Sequence, residues 1–152
     1  MRRNPRLLIG LSRPKDVIRP KRSAAPARSK RFSDAVLASI AKGHYLWIRA
    51  GAASEHKFTG IWTVVVEGRV FVRSWYMKPS GWYYALLADS LGAIRVGADE
   101  ISVRAARVRS ERLLKAINAA YAEKYTTPAS VQYVKGFARG KRRDTTTELT
   151  AR

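Results

Sequence analysis

The run IWTVVVEGRVFVRSW, Ile61 to Trp75, does most to limit what this chain can become. Its valines are stiff at χ1 and suit a pleated surface better than a helix. Glu67-Gly68 divides the run, and glycine accepts the positive φ that a tight hairpin turn requires. Strands are therefore predicted over Ile61–Val66 and Arg69–Trp75. The first is apolar on both faces, the pattern of a strand buried on two sides.

The flanking sequence extends this hairpin into a small domain. Ser33 can cap a helix that carries Val36, Leu37 and Ile40 on one face and ends at Gly43. HYLWIRAG, His44–Gly51, reads as a strand, and residues 52–59 as a polar loop. Ser80 is expected to cap a helix over Gly81–Leu91, with Gly92 stopping it. Ala93–Val96 and Ile101–Arg104 make a second hairpin around Gly97–Glu100. Ser110–Tyr125 is a predicted helix with Leu113, Leu114, Ile117, Ala120 and Tyr121 facing inward. Beyond Pro128 only Thr145–Thr150 stands out, as a closing strand rich in β-branched residues. No internal repeat is present. Five or six strands with short turns and few helices imply a mainly β (α+β) fold, a small barrel with short flanking helices.

Charge divides the chain unevenly. The net charge is +19, from 30 Lys and Arg against 11 Asp and Glu. Residues 1–31 hold 11 of the cations and one acid, Asp16, together with Pro5, Pro14, Pro20 and Pro26. Such a segment buries too little apolar surface to offset its ordering entropy, so a disordered basic arm is expected, with the folded domain over 32–152. The arm reads either as a tether to nucleic acid or an acidic partner, or as a dispensable extension. LLIGL is too short for a secretory core, and the prolines oppose a transit helix, so no targeting segment is expected. The apolar runs fall far below the ~20 residues of a membrane span, and no membrane association is expected. The absence of cysteine excludes disulfides, thiol catalysis and thiolate zinc sites, and agrees with a cytoplasmic location.

One constellation could carry chemistry. Along the second strand Phe71, Arg73 and Trp75 face one way, and Val70, Val72 and Ser74 the other. An arginine between two aromatics on a buried strand needs an anionic partner or a solvent-open cleft. Lys78 and Ser80 follow within one loop, ahead of a helix start whose amides favour an anion. A phosphate could receive Arg73 as a fork, Lys78 as a point charge and the Ser74 or Ser80 hydroxyl. Equally, Arg73 could pair with Glu67 or Asp89, and Ser80 could serve only as a cap. Trp47, Trp62, Trp75 and Trp82, with Tyr76, Tyr83 and Tyr84, could wall a slot for a flat heterocycle or pack a core or dimer interface.

Other chemistries lack support. His44 and His56 are the only histidines and lack metal-ligand spacing, so no metal is expected. Neither GxxxxGK[ST] nor GxGxxG occurs. Asp99-Glu100 falls in a predicted turn, and no catalytic residue can be named. Arg104, Arg107, Arg109 and Arg112 form a basic run that reads first as a solvated face and next as a second anion site.

The segments GIWTVVVEGRVFVRSW, SGWYYALLADSLGAIRV, EISVRAARV and INAAYAEKY together resemble an uncharacterised bacterial family, domain of unknown function 2255. It is grouped with the FMN-binding split barrels, the superfamily of pyridoxamine phosphate oxidases and deazaflavin-dependent reductases. The resemblance covers about Phe32 to Arg152 and implies a split β-barrel acting as a homodimer. In such barrels the ligand phosphate lies against the strand and loop after the first hairpin. This implies Arg73, Ser74, Lys78 and Ser80 as its contacts, Arg49 as a further one, and Trp62, Trp75 and Trp82 beside the ring. The resemblance further implies FMN or a deazaflavin as cofactor and an oxidoreductase of unknown substrate. The alternative is a non-enzymatic binding module whose basic surface meets nucleic acid or an acidic partner.

Overall fold

The computed structural model describes residues 31–51 and 57–152. The expected arm, apart from Arg31, lies outside the described residues, as do residues 52–56 of the expected polar loop.

The chain forms one antiparallel sheet of seven strands that curls into a nearly closed barrel. Helix α1 (Asp34–Lys42) leads into β1 (Leu46–Ala50), β2 (Thr59–Ile61), β3 (Thr63–Val66) and β4 (Arg69–Val72). Helix α2 (Trp82–Ala88), β5 (Leu91–Val96) and β6 (Asp99–Arg107) follow. Three helices, α3 (Glu111–Lys124), α4 (Val131–Phe137) and α5 (Gly140–Asp144), precede the last strand, β7 (Thr147–Ala151). The strand order is β2-β1-β5-β6-β7-β4-β3. The two edge strands, β2 and β3, are separated in sequence by Trp62 alone. Consecutive residues cannot lie at opposite ends of an open sheet, so the sheet bends round until its edges meet at Trp62. The last strand enters the middle, pairing with both β6 and β4.

Local chemistry accounts for most of these elements. Ser33 accepts from the Val36 amide at 3.2 Å, and Ser110 from the Leu113 amide at 3.3 Å, so both side chains cap as their positions suggest. Glu67 and Gly68 have φ of 55° and 71°, the two left-handed central residues of a type I′ hairpin. Alternation along β4 splits the core in two. Val70 and Val72 join Ile48, Ile94, Val103 and Leu149 inside the barrel, which α1 and α2 close with Ile40 and Leu86. Phe71 and Val64 point outward beneath Leu113, Leu114, Ile117 and Tyr121 of α3, with Tyr125 and Phe137 beside them. The expectation of a strand buried on two sides holds for Thr63–Val66, with Val65 packed inside and Val64 and Val66 outside, but Ile61 belongs to β2 and is parted from that strand at Trp62.

Three further expectations need correction. The second strand ends at Val72 rather than Trp75, because the Ser74 amide bonds to the Thr145 hydroxyl (2.8 Å) in place of a strand partner. Helix α2 stops at Ala88, and Gly92 lies inside β5, where an added Cβ would meet the Arg49 carbonyl at 2.6 Å. Ser80 does not cap α2; Gly81 is its N-cap and no side chain bonds there. After Pro128 the chain forms two short helices, which cover the outer face of the barrel.

Candidate functional site

A cleft of about 730 Å³ opens where the end of β4, the 73–81 loop, the start of α2 and the barrel seam at Trp62 converge. Of the residues singled out from sequence, Arg73, Ser74, Lys78, Ser80, Trp62, Trp75 and Trp82 all line it. Arg49 does not. It sits on the outer face of β1, paired with Glu100 at 3.1 Å and packed 4.9 Å over the Phe58 ring.

The cleft residues are not equivalent. Arg73 is 1 % exposed and serves chiefly as a strut. Its Nε donates to Thr146 Oγ1 (2.7 Å), Nη1 to Asn118 Oδ1 (2.6 Å) and the Phe137 carbonyl (2.8 Å), and Nη2 to the Leu114 carbonyl (3.2 Å). These bonds tie β4 to α3, α4 and the start of β7. Every acceptor is neutral. Neither Glu67, which pairs with Arg112, nor Asp89, which accepts from the Leu91 amide, reaches it. Burial without a carboxylate pulls its guanidinium down to about 10, so it remains a cation at neutral pH. Ser74 is also committed, its hydroxyl donating to the Tyr76 carbonyl at 2.6 Å. Lys78 and Ser80, by contrast, are exposed on the loop, with the Lys78 ammonium 5.8 Å from the Tyr76 ring.

The aromatic walls are held rigidly. Trp62 stacks on Tyr125 with centroids 3.9 Å apart and planes 6° from parallel. Trp75 meets the Tyr133 ring edge-on at 4.7 Å, while the Arg142 guanidinium lies 3.7 Å from its ring centre. Arg142 Nε also donates to the Trp75 carbonyl at 2.9 Å. Behind Trp62, the end of α3 secures the seam. The Tyr125 hydroxyl accepts from the Thr63 amide (3.1 Å) and donates to the His44 carbonyl (2.7 Å), and Lys124 Nζ donates to the Thr63 carbonyl (2.8 Å). Burial pushes the Tyr125 phenol up to about 12 and pulls the Lys124 ammonium down to about 8. Burial also raises the Tyr121 phenol, opposed by the nearby Arg73 charge.

The family model described as an uncharacterized protein conserved in bacteria (DUF2255) matches residues 36–149. The chain belongs to DUF2255. No curated protein matches its sequence. Its fold is that of the split barrels. A Listeria innocua protein named for pyridoxamine 5′-phosphate oxidase matches 78% of this chain and 90% of its own, with TM-score 0.51 and 10% identity. HutZ, the heme storage protein of Vibrio cholerae, matches over 80% and 89%, with TM-score 0.54 and 10% identity. Among the described residues no helix is long and apolar enough to cross a membrane, and no group of three His, Asp or Glu side chains could hold a metal ion.

Several residues of this DUF2255 site were not singled out from sequence. Tyr133 and Phe137 line the cleft four residues apart on α4. That i, i+4 spacing was visible in YVKGF but too short to establish a helix. Lys57 and Tyr45 reach the cleft from the far side of the seam, a proximity only the curl of the sheet creates. Thr145 and Thr146, which read as a strand, instead present hydroxyls to Ser74 and Arg73.

Proposed function

We propose that the cleft binds FMN or a deazaflavin, and that the protein is an oxidoreductase working as a homodimer. One observation carries the reading: Lys57, Arg73 and Lys78 line the cleft, among large aromatics, and no Asp or Glu among the described residues does. A hollow of that size, apolar-walled with a few convergent cations, suits a flat heterocycle bearing a phosphate. The residues present fit such a group. Lys78 and the Ser80 hydroxyl are the exposed donors for the phosphate, and Arg73 adds a fixed positive field from beneath. One face of Trp62 is taken by Tyr125 and one of Trp75 by Arg142, so the remaining indole surfaces, with Trp82 and Tyr133, would bound the ring.

When bound, the cofactor itself supplies hydride chemistry. The chain contributes binding, water exclusion and positive potential, and no side chain is assigned to proton transfer. Tyr45 and Tyr76, 53% and 70% exposed at the cleft, would be covered by a second copy.

Titration of the purified protein with FMN and with a deazaflavin tests this, read by quenching of ligand fluorescence, beside mass spectrometry of any co-purifying small molecule. Saturable quenching lost in Lys78→Ala supports the reading. Unquenched emission from both ligands and no bound small molecule would reject it.

A further inference from the structure

The start of α3 gathers a second concentration of cations, away from the cleft. Arg143 Nη2 donates to Glu111 Oε1 at 2.6 Å, Arg107 Nη2 to the Asp144 carbonyl at 2.9 Å, and Arg112 pairs with Glu67 at 2.6 Å. These contacts bring α3, α5, the end of β6 and the β3–β4 turn onto one surface. Lys115 stands one helical turn beyond Glu111, whose carboxyl is held low by Arg143 foremost and by Lys115. Glu67 and Glu111 are thus already engaged, and Asp144 is the one acid of these contacts whose carboxylate forms no ion pair among the described residues. Arg109, Lys115, Arg139 and Lys141 are exposed, and none forms an ion pair among the described residues.

We propose that this surface docks the phosphate backbone of a nucleic-acid duplex. Unpaired arginines and lysines on these adjoining elements would release counterions on meeting regularly spaced phosphates, and the arginine fork suits phosphate oxygens. A protein partner would need an apolar, aromatic centre to the interface. None of the exposed large hydrophobic side chains belongs to α3, α5 or β6. A single strand would need rings on which bases stack, and the same absence disfavours it. The fit is to charge along a backbone, without base readout. None of these cations lines the cleft, so the inference is independent of the cofactor reading.

The test uses the full-length chain and fluorescence anisotropy with short labelled DNA and RNA duplexes, a matching single strand and polyglutamate. Affinities are compared between about 50 and about 200 mM salt. The variant combines Arg109→Ala, Lys115→Ala, Arg139→Ala and Lys141→Ala. Each phosphate contact contributes about 0.9 to the slope of log affinity against log salt, so the variant should lose about 2–4 from that slope. It should also bind duplex at least tenfold more weakly. The DNA and RNA arms identify which duplex is preferred. Unchanged slope and affinity, no duplex binding by the parent, or tighter binding to single strand or polyglutamate would each overturn the proposal. Should the quadruple variant melt early, Lys115→Ala with Lys141→Ala applies the same test at a slope change of about 1–2.

Discussion

Gly136 lies so close beneath Trp75 that a methyl group there would stand 2.5 Å from the indole ring. The ring has little room to retreat, since Tyr133 meets it edge-on and Arg142 lies over it. Gly136→Ala is expected to destabilise the protein by about 1–3 kcal/mol through overpacking and to push the indole into the cleft. Urea denaturation and Trp fluorescence would report the two effects. A variant with unaltered midpoint and emission would show that the indole yields freely.

Arg73 and Lys78 line the same cleft but should respond in opposite ways to truncation. Arg73→Ala leaves the Asn118 oxygen and the Phe137 and Leu114 carbonyls without their donor and opens a cavity. A loss of about 3 kcal/mol or more is expected. Lys78→Ala removes an exposed side chain and should change stability by less than about 0.5 kcal/mol while weakening any anionic ligand. Denaturation midpoints of the two variants check the contrast.

The Tyr125 hydroxyl bridges two backbone groups, the Thr63 amide and the His44 carbonyl. Tyr125→Phe retains the stack on Trp62 but leaves the buried amide unpaired, an expected loss of about 1–3 kcal/mol. Thermal melting reports the stability, and amide exchange at Thr63 should accelerate.

Stability should rise and then fall across the alkaline range. Lys124 has its ammonium lowered from 10.5 to about 8, so between those values the unfolded chain holds a proton that the native chain has released. Stability therefore climbs with pH through that window, on the order of 1 kcal/mol after allowance for solvent screening. Tyr121 and Tyr125 are raised above 10.0. Beyond that pH the unfolded chain loses phenolic protons that the native chain keeps, and stability declines. Arg73, pulled down to about 10, acts the other way there but is one group against two. A maximum near pH 10 is expected in denaturant titrations, and Lys124→Met should remove the rise before it.

The hairpins, the cap at Ser33 and the inward face of α3 were legible because each rests on local pattern: alternation, a turn glycine, a side chain three residues from an amide. The grouping of Trp62, Trp75, Trp82, Lys78 and Ser80 at one cleft was legible too, since four of them sit close along the chain. The fate of the Arg73 guanidinium was not. Its partners lie 41 to 73 residues away, a distance over which local pattern says nothing of which elements meet, and two are main-chain carbonyls, which no residue type reveals. Arg49 was misjudged for a related reason. The family resemblance alone suggested it, and only the pairing of β1 with β5 and of β5 with β6 shows Glu100 waiting there.

The meeting of β2 and β3 at Trp62 also bears on how copies of the chain behave in a crowded solution. A sheet with free margins can recruit further chains, strand upon strand. Here one margin is only three residues long and the other bends into it at once, so neither offers a ladder long enough to template growth. Lengthening the single-residue junction would let the two margins part, and a barrel guarded against polymerisation would become a seed for it.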